Sequence, residues 1–315
     1  MASFNDVLAA NEALRTRFES VTAIFTGATH GLGLATLRAF TKHIPKPRAI
    51  IIGRSRERFE NELRELQLLN PGAKFQFIES ELSLIRAIDT LCGQLRTELS
   101  SQSVDLLYMS HGYAPVEGRK YTIEGLDEVM TLGYYGRVRF VENLIAMDAL
   151  RHNASLVSVF GGGKEGKLFE DDLALERNYS IMNIRGHFAS LMALAWEGLS
   201  QSNPELRFMH VFPGRVSTGF LERSVHGWLK QTLAKYILEP ILTLGGISAA
   251  ESGERILWMA MGGSGNFIFT KGSVSLDWDG SESTSEWLAR YRHNAALLHC
   301  VRQFNEGVFE AAKRQ

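Results

Sequence analysis

Near the start of the chain three glycines separate an apolar run from a stretch of helical spacing, and no other feature restricts the fold as much. Thr22–Thr26 reads as a strand, Thr26-Gly27-Ala28-Thr29-His30-Gly31-Leu32-Gly33 as a turn, and the residues from about Gly31 to Lys42 as a helix. Glycines in such a turn let the backbone bend sharply and come close to a pyrophosphate, whose charge the N–H groups of the helix N-terminus attract. Gly27, Thr29, His30, Gly31, Leu32 and Gly33 are therefore the first candidate binding residues.

The alternation continues along the chain. Further strands are expected at Arg48–Gly53, Lys74–Ile78, Val104–Met109, Leu156–Phe160, Arg207–Phe212 and Asn266–Thr270. Helical spacing covers about Asn5–Phe18, Phe59–Leu69, Leu84–Leu99, Glu124–Leu150, Ile181–Leu199 and Gly246–Met261. Strands separated by helices of this length pair in parallel through right-handed crossovers. This predicts an α/β fold, a Rossmann-type doubly wound parallel sheet covered on both faces, with ligands at the carboxyl ends of its strands. No Pro/Gly/Ser-rich linker or internal repeat divides residues 1–315, so one domain is expected. Residues 219–245 stand apart, with Phe220, Leu221, Trp228, Leu229, Tyr236 and Ile241 among them and Pro240 interrupting. They read as amphipathic helices packed on the core, as a lid over an apolar pocket, or as both.

Composition narrows the partners. Lys+Arg 34 against Asp+Glu 35 leave a formal charge of -1, without the basic excess that nucleic acid or an anionic membrane calls for. Cys92 and Cys300 are the only cysteines and no Cys/His cluster accompanies them. That argues against a disulfide framework and a structural metal site, and fits a reducing, cytoplasmic compartment. The first residues lack the basic-then-apolar pattern of a secretory signal, and no apolar run reaches the ~18 residues of a transmembrane helix. A small apolar molecule is the expected partner.

The spacing Thr-Gly-x-x-x-Gly-x-Gly, followed in order by three further motifs, resembles the short-chain dehydrogenase/reductase superfamily over roughly Val21 to Thr218. Glu81-Leu82 stands where the family has an acid and an aliphatic residue beside the adenine, and Ser110-His111-Gly112 where it has Asn-Ala-Gly. Pro213-Gly214-Arg215-Val216-Ser217-Thr218 matches its Pro-Gly-x-Val-x-Thr segment, which approaches the nicotinamide. The resemblance thus adds Glu81, Leu82, Ser110, Gly112, Pro213, Gly214, Val216 and Thr218 to the cofactor residues. It also implies a homo-oligomer paired through the long helices beside the sheet. Charge selects the cofactor: a carboxylate at the end of the second strand suits the ribose 2′-OH of NAD, an arginine the 2′-phosphate of NADP. Here that strand ends Gly53-Arg54-Ser55-Arg56, so NADP(H) is expected, with Arg54 and Ser55 at the phosphate. His30 sits where NADP-using members of the family often carry a basic residue.

The catalytic positions depart from the family. Its tyrosine exchanges a proton with the substrate oxygen and needs a nearby lysine, because a free phenol titrates near ~10. In Tyr179-Ser180-Ile181-Met182-Asn183 the tyrosine is kept and asparagine replaces the lysine; Gly161 stands at the serine position and Gly133 at that of the helix asparagine. The pattern looks like a divergent branch of short-chain dehydrogenase-like proteins common in fungi. Tyr179, Tyr134, Tyr135 and His111 remain as candidate catalytic groups, with Tyr113 near them and Lys164 or Lys167 as a source of charge. The leading reading is an NADP(H)-dependent oxidoreductase acting on a carbonyl or alcohol of an apolar small molecule, of the kind found in specialised (secondary) metabolism. The alternative is a redox-neutral isomerase or cyclase that keeps the pocket after losing the proton relay. A non-catalytic nucleotide sensor is a third.

Overall fold

The computed structural model describes residues 2–99, 102–114, 116–216, 224–233, 244–262, 272–283 and 285–314, the side chains of Trp228 and Leu229 excepted. The apolar runs form β1 Ser20–Thr26, β2 Lys46–Gly53, β3 Lys74–Glu79, β4 Val104–Met109, β5 Leu150–Val159, β6 Arg207–Val211 and β7 Gly272–Leu276. They make a 7-stranded sheet in the order β3-β2-β1-β4-β5-β6-β7, every pair parallel. The order reverses between β1 and β4, the point at which doubly wound sheets take a ligand at the carboxyl ends of their strands.

The helices are α1 Phe4–Glu12, α2 Leu14–Arg17, α3 Gly31–His43, α4 Glu60–Leu69, α5 Ile85–Leu99, α6 Glu128–Met130, α7 Gly136–Ala146, α8 Ile181–Ser202, α9 Trp228–Leu233, α10 Ala249–Met261, α11 Glu286–Tyr291 and α12 Ala295–Arg314. Alternate strand residues go to opposite faces of the sheet. Ile24, Ile50, Ile52, Leu107 and Met109 join the core under α5, α7 and α8, while Phe25, Ala49, Ile51, Leu106 and Tyr108 join the core under α1, α3, α4 and α10. Both faces are thus covered, as the alternation predicts, and among the described residues no helix is long and apolar enough to cross a membrane.

The structure corrects several boundaries. The helix expected from Glu124 to Leu150 begins only after Asp127, whose side chain accepts from Met130 N at 2.8 Å. It passes through a π turn, Thr131–Tyr135, and ends at Ala146. Asp148, in the left-handed region with φ 54°, then turns the chain so that Leu150 already begins β5. The strand expected at Asn266–Thr270 lies outside the described residues, and β7 follows at Gly272–Leu276. α11 and α12 were not anticipated. Leu297, Val301, Phe309 and Ala312 of α12 are buried over α5 and α8, so this helix covers the outer side of that layer.

Candidate active site and cofactor cradle

β1 delivers Thr26 to the carboxyl edge of the sheet, where Gly27 (φ 72°) and Gly31 (φ 54°) take the left-handed backbone that glycine adopts without strain. The turn is closely packed: a Cβ on Gly33 would lie 2.2 Å from the Gly27 carbonyl oxygen and 2.8 Å from Ser110 Oγ. Ser110 braces it from β4, donating from Oγ to Gly27 O at 3.2 Å and from N to Thr26 O at 3.0 Å. His30 is the N-cap of α3 but its side chain makes no cap to the helix, whereas Ser180 and Ser248 cap α8 and α10. The first N–H groups of α3, from Gly31, Leu32 and Gly33, are left for an anion.

The end of β2 adjoins this turn. Thr29 Cγ2 lies 3.0 Å from the place a Cβ on Gly53 would take. Arg54, next along, is exposed and makes no hydrogen bond or ion pair among the described residues. Ser55 Oγ accepts from Arg58 N at 3.3 Å and Glu79 Oε1 from Arg56 N at 2.7 Å, which fixes the turn presenting Arg54. The residues fit a dinucleotide with a further phosphate: the uncapped helix end suits the pyrophosphate, and the unpaired guanidinium suits the extra anion.

The other expected cofactor residues line the same edge or turn on the backbone. Glu81 Oε1 accepts from Ser83 N at 3.2 Å, and Leu82 is buried in the core. Gly112 follows His111 in the turn after β4. After β6, Pro213 O accepts from Ser252 Oγ at 2.8 Å, Gly214 (φ 88°) packs against Trp278, and Val216 bridges to Ile247. Thr218 lies outside the described residues, as does much of 219–245. The described part of that segment docks on the loop after β4. Ser224 Oγ accepts from Ala114 N at 2.9 Å, and Glu117 accepts from His226 N at 2.9 Å and Lys230 Nζ at 3.3 Å. Led by the His226 N–H, these contacts hold Glu117 well below the usual carboxylate range.

The candidate catalytic residues do not converge. Tyr134 and Tyr135, on the π turn, are buried in the core with their rings 5.5 Å apart. Tyr135 packs on Phe304 of α12 at 5.8 Å, and Asn305 of the same helix faces the Tyr134 phenol. Both side chains serve to seat α12. Tyr113 donates to Glu128 Oε2 at 3.0 Å. Tyr179 is half-buried, its ring facing the Arg119 guanidinium at 5.0 Å. Burial pushes its phenol up to about 12, Asp127 adding to the effect and Arg119 opposing it. Asn183, in the lysine's place, donates from Nδ2 to Asn178 O at 2.8 Å and brings no charge, which leaves Arg119 as the cation that favours a phenolate.

A buried cation went unnoticed in the sequence. Arg137 of α7 is 1% exposed and, among the described residues, pairs with no carboxylate. It donates to His111 O at 2.5 Å, Ser158 Oγ at 2.8 Å and Val159 O at 3.0 Å, joining the turn after β4 to the end of β5. Burial lowers its pKa to about 10, which still leaves it charged at neutral pH. The signal was available: Tyr134, Val138 and Val141 share a helical stripe with residue 137, which faces the sheet.

Burial, with Arg137 adding to it, holds His111 well below its ordinary value and lowers His210 to about 3. His111 Nδ1 shares a 2.7 Å hydrogen bond with Thr26 Oγ1, and its Nε2 has no partner among the described residues. His210 Nε2 accepts from Gly161 N at 3.2 Å, so its proton sits on Nδ1, 3.9 Å from Glu165 Oε1. Both imidazoles are neutral at neutral pH. A depressed folded pKa means that the unfolded chain takes up the proton first. The stabilisation is therefore complete above pH 6.5 and is lost as the pH falls toward 3. Urea titrations are expected to show stability falling by on the order of 2–3 kcal/mol from His210 alone between pH 7 and about 4.5. His210→Gln should flatten that slope; an equally steep slope in the variant would assign it to other groups.

No protein-family model matches the chain. Among curated proteins it is 36% identical over 258 residues to oxidoreductase AN1596 of Emericella nidulans, a match covering 82% of this chain and 76% of that one. It is 32% identical over 290 residues to oxidoreductase lepF of Aspergillus flavus, covering 82% and 80%. The short-chain dehydrogenase/reductase SAT2 of Stachybotrys chartarum is 29% identical over 215 residues, covering 62% and 61%. Among solved structures, NADPH-bound carbonyl reductase from chicken fatty liver superposes with a TM-score of 0.58 at 14% identity, covering 85% of this chain and 100% of that one. The 3-oxoacyl-[acyl-carrier protein] reductase from Brucella melitensis, in complex with NAD, gives 0.58 at 21%, covering 82% and 96%. Sheet order, glycine turn and relatives agree: the chain belongs to the short-chain dehydrogenase/reductase superfamily.

Proposed function

We propose that this chain is an NADP(H)-dependent oxidoreductase of specialised metabolism, acting on a carbonyl or alcohol in an apolar small molecule, with residues 219–245 serving as a lid on a single Rossmann-type domain. One observation carries the cofactor: Arg54, unpaired among the described residues, stands at the end of β2 beside Thr29, with the uncapped end of α3 in the same turn. An oxidoreductase is what the curated relatives are named, and NADPH is what the chicken reductase holds.

In this reading Gly27, Thr29, His30, Gly31, Leu32 and Gly33 hold the pyrophosphate, Arg54 and Ser55 the 2′-phosphate, and Glu81 and Leu82 the adenine side. Ser110, Gly112, Pro213, Gly214, Val216 and Thr218 orient the nicotinamide end. When bound, NADPH supplies a hydride. The chain supplies position, exclusion of water and a proton. Tyr179 is the proton donor, its buried hydroxyl having no hydrogen-bond partner among the described residues and so being left for a ligand. His111 contributes a neutral imidazole beside the cradle, and Tyr134 and Tyr135 contribute packing only.

Calorimetry with NADPH and NADH tests the assignment. Arg54→Asp is expected to weaken NADPH by about 10–100-fold, the loss of a guanidinium–phosphate contact plus repulsion, with NADH little changed. Equal affinities in wild type and variant would remove the 2′-phosphate from Arg54. The alternative, a redox-neutral isomerase or cyclase, draws on Gly161 and Asn183, which leave the proton relay incomplete. Product formed without NADPH consumption would establish it, and one NADPH consumed per product would exclude it.

A further inference from the structure

We propose that Lys164 supplies the cation that meets the substrate oxygen, in place of the serine that Gly161 lacks; the assignment rests on the oxidoreductase reading. Lys164 N donates to Gly161 O at 2.9 Å, and Gly163, at φ 73°, lets the chain double back between them. The lysine stem is thereby brought alongside the missing side chain. A Cβ on Gly161 would meet Lys164 Cβ at 3.9 Å and Ala189 Cβ at 3.4 Å, which is ordinary contact. The ammonium lies 4.8 Å from the centre of the Phe212 ring, and Phe212 leads directly into Pro213 and Gly214. Lys164 therefore reaches from the turn after β5 to the segment after β6, the two sides of the expected reaction centre.

Asp277 Oδ2 accepts from the ammonium at 2.9 Å, and the side chain keeps 34% of its surface. Among the described residues one N–H is held, which aims the group, and two remain for a ligand. Arg185 stands over the same Phe212 ring at 5.8 Å, so positive charge gathers here rather than at Asn183. Lys167 is different: it is exposed and lies 4.8 Å over Phe169.

The step balances as follows. A C–H bond forms at the carbonyl carbon with the two electrons of the hydride, and the C=O π pair moves onto oxygen. Lys164 holds that oxygen and keeps its own proton. The O–H bond of Tyr179 breaks to complete the alcohol, and water returns a proton to the phenolate. A donor aimed at a developing oxyanion typically contributes about 10²–10³ in rate.

The test uses the full-length protein, Lys164→Met and Lys164→Arg. NADPH affinity is read by fluorescence titration, decanoate binding to the NADP+-loaded protein by calorimetry, and NADPH oxidation with a panel of apolar ketones by absorbance. Decanoate presents a carboxylate oxygen on an apolar tail and requires no turnover. Lys164→Met is expected to bind NADPH as wild type does, to bind decanoate about tenfold more weakly, and to lose about 10²–10³ in turnover. Lys164→Arg, which keeps the charge, is expected to recover most of the decanoate affinity. Equal decanoate affinity in wild type and Lys164→Met, or none in either, overturns the assignment. Wild-type protein that binds NADPH but oxidises none with any ketone removes the redox reading instead, and the decanoate comparison still decides the role of Lys164.

Discussion

Alanine at Gly33 is expected to remove tight NADPH binding while leaving the sheet intact. The added methyl would lie 2.2 Å from the Gly27 carbonyl oxygen, 2.8 Å from Ala28 Cα and 2.8 Å from Ser110 Oγ. Two of these neighbours are backbone, so the turn itself has to open. Forcing a methyl into a packed site costs about 1–3 kcal/mol, and the same displacement moves the N–H groups proposed to hold the phosphates. Read as affinity this is about 10–100-fold or more. Gly198→Ala is the control, because a Cβ there meets nothing within 4 Å. It should leave NADPH binding unchanged and add about 0.5–1 kcal/mol of stability by replacing a helical glycine. Calorimetry and urea titration read both. A Gly33→Ala protein that binds NADPH as tightly as wild type would show that the phosphates sit elsewhere.

The glycine turn could be read from the chain because its determinants are local. Thr26, Gly27, Gly31 and Gly33 are close in sequence, and the strand before them and the helix after them announce themselves by periodicity. Six of the seven parallel strands follow from the same signal repeated; β7, at Gly272–Leu276, lies beyond the run expected at Asn266–Thr270. Tyr134 and Tyr135 were misleading for the opposite reason. Their partners, Phe304 and Asn305, lie far along the chain on a helix that was not anticipated, so nothing local distinguished a packing aromatic from a catalytic one. α12 is amphipathic, with Leu297, Val301 and Phe309 on one side, and those residues find their partners only once α5 and α8 are in place.

Arg137 shows what periodicity contains when it is read for exceptions. A charged residue in an apolar stripe is costly to bury, and with no carboxylate opposite it among the described residues the cost is met by hydrogen bonds to His111 O, Ser158 Oγ and Val159 O. Those acceptors belong to the turn after β4 and the last residues of β5, which border the proposed reaction centre. The side chain therefore works as a positioning residue: it keeps the end of β4, with Ser110 bracing the glycine turn, in register with the end of β5, from which Gly161 and Lys164 depart.

Asn183→Lys is expected to raise the rate of alcohol oxidation at pH 8 by on the order of 10²-fold, the scale of a restored general base. In wild type the Tyr179 phenol stands at about 12, so very little phenolate exists at neutral pH, and the oxidation rate should climb with pH well into the alkaline range. A lysine at 183, in the first turn of α8 that Tyr179 precedes, is expected to bring a cation toward the phenol, stabilise the phenolate and lower its pKa, so the rise should level off at lower pH. The substitution gives up the 2.8 Å bond from Asn183 Nδ2 to Asn178 O, a stability loss of about 1 kcal/mol. Reduction should respond in the same sense but less steeply, because the protonated phenol is already the abundant form. The measurement is the pH profile of NADP+ reduction by an accepted alcohol, for wild type and variant side by side. An unchanged profile would mean that Tyr179 exchanges no proton with the substrate. A redox-neutral enzyme would reduce no NADP+ in either form.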